Sequence, residues 1–213
     1  MAHGHSDQLS LTLQKNGFPF LVDPGTYQYH HSKLKWRYYF RGIKAHNTIS
    51  INDKDHALSL SRMSWSSSSK VLKKEFDFSD VLDNIAATSE AFKKEGVLHT
   101  RDLSLNKAKR EILIKDFLKI TNDKKVKKGA LFFHFHPQAK VELINNKLIV
   151  SSPDNDCIEV LNDHFSSAKI IRGNKEMPFG WFSKSYDYIE ESSSLLLELK
   201  ISKNTNINTV IKY

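Results

Sequence analysis

Cysteine is almost absent from this sequence, because Cys157 is the single one among 213 residues. One thiol cannot form an intramolecular disulfide, and it cannot build a cysteine-rich zinc cluster. Any metal site in the chain must therefore use histidine and carboxylate ligands.

Long apolar runs are also missing, since no stretch approaches the roughly 20 residues that a membrane span needs. The first residues, Met1-Ala2-His3-Gly4-His5, lack the basic region and apolar core of a secretory leader. We therefore expect no membrane span and no leader within these residues. The location of the chain itself stays open, and we expect the whole protein to be periplasmic or secreted.

The signatures of nucleic-acid binding are absent as well. The sequence has no helix-turn-helix pattern, no zinc-finger spacing and no Lys/Arg-Gly-Phe aromatic motif. The formal net charge of +8 would attract polyanions, but lysines spread along solvated strands produce the same surplus. Specific nucleic-acid binding is therefore disfavoured, and acidic sugars remain a candidate partner.

What is present describes an ordinary soluble protein with one substantial core. Apolar residues make up 39% of the chain and charged residues 26%. No repeat with a period of about 20 to 50 residues is visible, which disfavours propellers and solenoids. We expect a single domain over residues 1–213.

Alternating apolar and polar residues dominate the sequence and predict half-buried β-strands. Asn16-Gly17 separates two such runs and predicts a hairpin, and Asn145-Asn146 predicts another. The other alternating runs lie at Ile49–Ile51, Leu58–Leu60, Phe76–Phe78, Ile112–Ile114, Leu131–Phe135 and Leu195–Ile201, the last closing the chain.

Helix is expected only at Val81–Lys94, where Ala86-Ala87-Thr88 fits a strand equally well. Many strands with short polar connections predict an all-β fold, a large antiparallel β-sandwich of stacked sheets with little helix.

Histidine and carboxylate concentrate in three segments of the first quarter: His3-Gly4-His5 followed by Asp7, Val22–Tyr27, and Ala45–Thr48. Imidazole and carboxylate together suit zinc, and three protein ligands leave a position for water. We predict that His5 lies on the first strand, Asp23 just past its hairpin partner and His46 before the next strand, so that the three meet as ligands at one sheet edge. The alternative is that these residues only cap and tie down turns.

The same segments carry a family resemblance, because HGHSDQLSLTLQKNGFPFLVDPGTY followed by YYFRGIKAHNTISIND closely resembles the start of the heparinase II/III-like C-terminal domain. The family shows an HxHxDxLS segment, a VDPGTY segment and an AHNT segment in this order. Weaker similarity continues through His99-Thr100-Arg101, Phe133–Pro137 and Gly180–Ser183.

The resemblance implies a protein that joins an N-terminal α/α toroid to a C-terminal β-sandwich and cleaves uronic-acid-containing polysaccharides by β-elimination. It implies a zinc site at His5, Asp23 and His46, with His3 beside the catalytic cleft. The family's catalytic tyrosine, and the asparagine or histidine that neutralises the substrate carboxylate, belong to the toroid. We therefore expect this chain alone to be inactive.

Further candidates follow from the chemistry of the reaction. A uronate C5 proton is removed only when the carboxylate is neutralised, and the leaving O4 must be protonated. His3 could assist proton transfer, because imidazole titrates near neutral pH. Tyr27, Tyr39 and Arg41 could line the sugar cleft, although packing is the commoner role of such tyrosines. Heparan sulfate, alginate and other acidic glycans all remain open as substrates.

Other histidines and the tryptophans carry weaker predictions. His134 and His136 repeat the two-residue spacing of His3 and His5, but a structural role is expected for them. The three tryptophans could stack on sugar rings, and core or edge packing is the commoner fate of a lone tryptophan. They are Trp36, Trp65 and Trp181.

Two other interpretations of these motifs compete with the lyase. Cupins also place an HxH pair on a β-sandwich, but they usually carry a glutamate a few residues later, and here no glutamate occurs before Glu75. The second rival is a non-catalytic carbohydrate-binding or scaffold module whose metal only holds loops together.

Overall fold

A computed structural model describes residues 4–29, 34–61, 63–66, 69–122 and 127–213 of the chain. The strands within these ranges are, in chain order, β1 (Leu13–Lys15), β2 (Phe18–Leu21), β3 (Ile49–Ile51), β4 (Val71–Phe78), β5 (Leu82–Ser89), β6 (Val97–Asn106), β7 (Glu111–Ile120), β8 (Lys127–His134), β9 (Lys140–Ile144), β10 (Lys147–Ser151), β11 (Cys157–Asn162), β12 (Ala168–Arg172), β13 (Trp181–Phe182), β14 (Glu190–Glu191), β15 (Ser193–Ile201) and β16 (Thr205–Lys212). The helical segments are α1 (Leu34–Arg41) and short 3-10 helices at Ile43–Ala45, Lys93–Glu95 and Phe165–Ser167.

Two large sheets form the fold. The larger has eight strands in the order β4-β5-β6-β7-β16-β11-β10-β9, and the smaller has four in the order β12-β15-β8-β3. The hairpins β1-β2 and β13-β14 form two further small sheets, and the neighbouring strands pair antiparallel. The prediction of an all-β antiparallel sandwich is confirmed. No helix in the described part of the chain is long and apolar enough to cross a membrane.

The core lies between the two large sheets because their strands alternate. On β8, Leu131 and Phe133 point inward and are fully buried, and Leu195 and Leu197 of the paired strand β15 join them. Burying a leucine or phenylalanine side chain contributes about 1.5 to 3 kcal/mol, so this row is a major source of stability. Phe132, one position along, points to the outer face of the smaller sheet.

Helix α1 packs on that outer face and was missed by the sequence analysis. Trp36, Tyr39 and Phe40 follow the i, i+3, i+4 spacing of one helix face, and all three are buried against Phe132 and Trp181. The helix has only eight residues, which is shorter than the window in which such periodicity is reliable.

Several strand predictions can be compared directly with the structure. Asn16-Gly17 connects β1 to β2 with positive φ at both residues, and Asn145-Asn146 connects β9 to β10 in the same way, so both hairpins are confirmed. Of the two alternatives for Val81–Lys94, the strand is correct, because this range contains β5.

Two strand predictions were wrong. Leu58 and Leu60 are exposed and lie outside the strands, where only an isolated bridge between Ser59 and Trp65 forms. The alternating apolar side chains of this run have no neighbouring sheet against which they could be buried. The run ending at Ile201 does not close the chain either, since β16 follows and pairs with β7 and β11.

A buried ion pair joins the larger sheet to the N-terminal segment. Arg101 on β6 donates from Nε and Nη2 to both carboxylate oxygens of Asp116 on β7, and His99 Nε2 lies 2.6 Å from the same carboxylate. Arg101 Nη1 donates across the sheet gap to the carbonyl oxygens of Leu9 and Asn47. The guanidinium therefore holds the segments that enter the candidate site.

Asn47 is the second junction, and its side chain is fully buried. Its Nδ2 donates to the carbonyl oxygens of Leu11 at 2.7 Å and Val22 at 2.9 Å, and its Oδ1 accepts from the His134 backbone at 2.7 Å. Its own backbone N–H donates to Ser10 Oγ at 3.0 Å. One amide thus fixes three chain segments beside β3.

Replacing Asp116 tests the ion pair. Burial alone would raise the pKa of Asp116, but the charge of Arg101 and the hydrogen bond from His99 outweigh it and bring the pKa to about 2. Asp116→Asn leaves a buried guanidinium uncompensated and should lower the free energy of unfolding by about 3 to 5 kcal/mol at pH 7. Urea unfolding followed by circular dichroism measures this, with exposed Asp154→Asn as the control.

The dependence of the unfolding free energy on pH gives a second test of the same variant. Because the folded pKa lies below the unfolded value of about 3.9, the stabilisation is full above pH 4 and is lost as the pH falls toward 2. The wild type should lose stability in that window more steeply than Asp116→Asn. Parallel pH profiles for the two proteins would contradict the assignment.

Asn47→Asp tests the amide junction, because a carboxylate keeps the shape but cannot donate to the two carbonyls. Leaving the carbonyls of Leu11 and Val22 unsatisfied should cost about 2 to 6 kcal/mol of unfolding free energy. Exposed Asn155→Asp, in a turn, provides the control in the same urea titration. Equal unfolding midpoints for the two variants would show that the junction does not hold the segments.

Candidate metal centre

Asp23 stands where the chain leaves the β1-β2 hairpin. The preceding residue, Val22, donates from its backbone to the His134 carbonyl, which docks the hairpin on the end of β8. Asp23 Oδ1 accepts the backbone N–H of Gly25 at 2.9 Å and forms a tight turn. Gly25 has φ +88°, and a Cβ atom there would lie 2.3 Å from the Ser183 carbonyl oxygen, so this turn requires glycine.

His46 enters the site from the other side. It follows the 3-10 helix Ile43–Ala45 and precedes β3, and its side chain has no exposed surface. Its Nδ1 lies 2.8 Å from Asp23 Oδ2. Its Nε2 is buried and has no hydrogen-bond partner among the described residues. A buried ring nitrogen in this state costs about 1 to 3 kcal/mol. Because Asp23 faces Nδ1, a metal shared with Asp23 would bind His46 through Nδ1.

His5 completes the cluster from an irregular segment, whereas the sequence analysis expected a strand. The carbonyl of Gly4 accepts from Trp65 Nε1 at 2.7 Å, and the N–H of Ser6 donates to the Arg41 carbonyl at 2.8 Å. These two hydrogen bonds hold the backbone on both sides of His5. Its ring centroid lies 5.3 Å from that of His46.

Each of His5, Asp23 and His46 offers a ligand atom within 4.8 Å of the others, so the structure brings together the three residues selected from the sequence. Within the described residues this is the one such group of three or more histidine, cysteine or acidic side chains. His5 Nε2 also lies 3.3 Å from Thr26 Oγ1, a residue of the Asp23 turn.

The protonation states also suit a metal. Burial, followed by the proximity of His46, lowers the pKa of His5 to about 4. Burial would raise the pKa of Asp23, but the hydrogen bond with His46 and its charge outweigh this and lower it. A neutral His5 ring and an ionised carboxylate at neutral pH are the forms that bind a metal without first losing a proton. Two imidazoles and one carboxylate form a donor set that fits zinc.

The other predicted site residues are placed differently. His3 lies outside the described residues. Tyr27 is half-buried against Trp36 and Phe40 at a positive φ of 63°. Tyr39 is buried, and its hydroxyl accepts from the Trp181 backbone at 3.4 Å.

Arg41 is fully buried, with its guanidinium 4.1 Å from the centroid of the Trp65 ring and Nη1 donating to the Ser61 carbonyl at 2.6 Å. Substrate binding by Tyr27, Tyr39 and Arg41 stays a prediction. The burial of Tyr39 and Arg41 places both behind the protein surface.

The structure also places the histidines and tryptophans whose predictions from the sequence were weaker. All three tryptophans are buried, as the packing alternative predicts. His134 is buried and lies 2.8 Å from Ser194 Oγ, whereas His136 is half-buried beside Phe18 and Phe182.

A groove next to Asp23 was missed by the sequence analysis. It is lined in part by His136, Phe182, Lys184 and Tyr188. His136 and Phe182 belong to segments noted as family landmarks, but the sequence alone gives no signal that distant segments share one groove.

Comparison with known proteins agrees with the family resemblance seen in the sequence. The family model described as heparinase II/III-like, C-terminal, matches residues 1–210. A search among curated protein sequences gives no significant match. Among solved structures, heparan sulfate lyase HepC from Pedobacter heparinus aligns with a TM-score of 0.77 and 14% identity, over 99% of this chain and 31% of its own. A heparinase III crystal structure aligns with a TM-score of 0.76 and 20% identity, over 99% and 30%.

At these low identities the structural alignments establish a shared fold alone. The chain spans about a third of the length of the solved proteins that it matches. Because the family model covers nearly the whole sequence, the chain belongs to the heparinase II/III-like C-terminal domain family.

Proposed function

We propose that this chain is the sandwich domain of a polysaccharide lyase that cleaves uronic-acid-containing polysaccharides by β-elimination. We further propose that His5, Asp23 and His46 hold a zinc ion. The observation that carries the metal proposal is the convergence of the three side chains within 4.8 Å. The family membership carries the proposal of lyase activity.

A zinc ion at this position would act as a cross-link between three chain segments that are far apart in sequence. The chain's own residues prepare this arrangement: the Asn47 amide fixes the neighbours of Asp23 and His46, and the hydrogen bonds at Gly4 and Ser6 fix His5. A preformed donor set is consistent with a structural or site-organising role for the metal.

His3 is the proposed catalytic residue of this domain. It precedes His5, a proposed metal ligand, by two residues in the sequence, and the family resemblance implies a histidine beside the catalytic cleft at this position. From there a neutral imidazole can donate to or accept from the sugar, and it can assist neutralisation of the uronate carboxylate.

The remaining catalytic groups are proposed to come from an N-terminal helical domain. β-Elimination needs a base for the C5 proton, an acid for O4 and neutralisation of the carboxylate. The aligned solved proteins are about three times as long as this chain, which is consistent with a second domain in the whole protein. The formal charge of +8 suits an acidic substrate such as heparan sulfate or alginate.

The alternative function is a non-catalytic carbohydrate-binding or scaffold module with a structural metal. The candidate metal centre is compatible with this alternative, because metal ligands alone perform no proton transfer on a sugar. An assay of the elimination reaction separates the two functions.

Metal content is the direct test of the ligands. The purified chain incubated with zinc and dialysed should retain about one ion per chain, and Asp23→Ala and His46→Ala should each lose most of it. His164→Ala, a half-buried histidine outside the three-residue cluster, is the control. Circular dichroism verifies that the variants fold. Retention of a full equivalent by folded Asp23→Ala and His46→Ala would exclude this site.

The reaction is tested by the absorbance of the unsaturated uronate that β-elimination produces. The chain joined to its proposed helical domain should release this product from an acidic polysaccharide, and His3→Ala should lower kcat by about 10²- to 10⁴-fold relative to His164→Ala. The chain alone should release none. Cleavage by the chain alone would contradict the two-domain proposal, and no product from the folded joined protein would favour the module.

A further inference from the structure

The groove beside Asp23 has a volume of about 930 Å³, at the upper end of the roughly 300 to 1,000 Å³ of small-molecule sites. One wall is the β1-β2 hairpin, and the other comes from the end of β8 and from the segment around β13 and β14. Asp23 forms part of its lining and is also a proposed metal ligand. The groove and the candidate metal centre therefore share a wall.

Two aromatic rings, those of His136 and Phe182, line the groove on segments that are tied to the rest of the fold. The rings of His136 and Phe182 lie 5.8 Å apart, and Phe182 pairs across the β13-β14 ladder with Glu190. The backbone N–H of Ser183 donates to the Pro24 carbonyl at 2.8 Å, so this segment is tied to the Asp23 turn. Pairing on both sides keeps the ring of Phe182 in place.

Exposed polar groups complete the lining. Tyr188 is 47% exposed and lies on a turn closed by the hydrogen bond from its backbone N–H to the Ser185 carbonyl. Lys184 is exposed and forms no ion pair within the part of the chain that the structure describes. His136 Nδ1 accepts from the Gln138 backbone, so a neutral His136 carries its proton on Nε2 and can donate.

These groups match the surface of an acidic sugar. Aromatic rings pack against the apolar C–H face of a pyranose, a lysine ammonium pairs with a carboxylate, and a glutamate such as Glu190 accepts from hydroxyl groups. A metal ion at the candidate centre would neutralise Asp23, and Glu190 would remain in the lining as a carboxylate that repels a dense polyanion. The lining thus favours a chain with one carboxylate per sugar and free hydroxyls over a heavily sulfated one.

We propose that this groove binds the sugars of a uronate polysaccharide that extend beyond the reacting unit, with Tyr188 and Phe182 as the stacking surface and Lys184 as the carboxylate partner. The inference rests on the proposed function, since the reacting unit of the polysaccharide would lie beside the candidate metal centre, which shares Asp23 with the groove. It adds a substrate-binding surface made wholly by this domain.

The test uses the 213-residue chain with zinc and an unsulfated uronate hexasaccharide, with affinity measured by calorimetry. Tyr188→Ala should weaken binding about tenfold, whereas Tyr186→Ala, an exposed tyrosine two residues away and outside the groove, should not. Lys184→Gln should weaken binding about fivefold, and Lys200→Gln, on the exposed face of β15, should not. A neutral hexasaccharide should bind more weakly than the uronate.

Equal affinities of the groove variants and their controls would overturn the proposal. Equal binding of the neutral and acidic hexasaccharides, with Lys184→Gln silent, would overturn the uronate assignment. The lyase proposal fails separately, through the absence of unsaturated product from the joined protein. Binding that depends on the groove residues, without any product, would support the groove proposal and contradict the lyase proposal. Product formation without binding that depends on the groove residues would support the lyase proposal and overturn the groove proposal.

Discussion

The buried amide of Asn47 is the constraint on which the rest of the site depends. It donates to the carbonyls before Asp23 and within the N-terminal segment, and it accepts from the end of β8. Because the bonds to Val22 and His134 are buried and the bond to Leu11 is part-buried, each hydrogen bond is costly to lose. The amide therefore converts three loosely related segments into one surface with a defined register.

The buried pair of Arg101 and Asp116 extends this constraint into the larger sheet. Its guanidinium reaches the carbonyl of Asn47, so the site is attached to both sheets of the sandwich. A rigid support of this kind suits a metal that organises loops, since ligands held within a few ångströms lose little entropy when they bind. Buried polar groups therefore concentrate at the edge of the sandwich where the proposed chemistry takes place.

Much of the fold could be predicted from the sequence because its signals are local. Asn-Gly and Asn-Asn turns with alternating neighbours determine two hairpins, and the histidine and aspartate of short motifs indicated the three converging ligands. Helix α1 could not be predicted in this way, since its apolar face is complete only when Phe132 and Trp181 pack against it. The exposed run at Leu58 and Leu60 shows the converse, because alternation needs a partner sheet to become a strand. The groove joins residues more than 150 positions apart, which no spacing along the chain reveals.

Anomalous diffraction at the zinc edge, from crystals of the zinc-loaded chain, tests the central claim most directly. The account predicts one strong peak about 2.0 to 2.2 Å from a ring nitrogen of His5, a ring nitrogen of His46 and a carboxylate oxygen of Asp23. A peak at other residues, or none at these three in an ordered site, would contradict it.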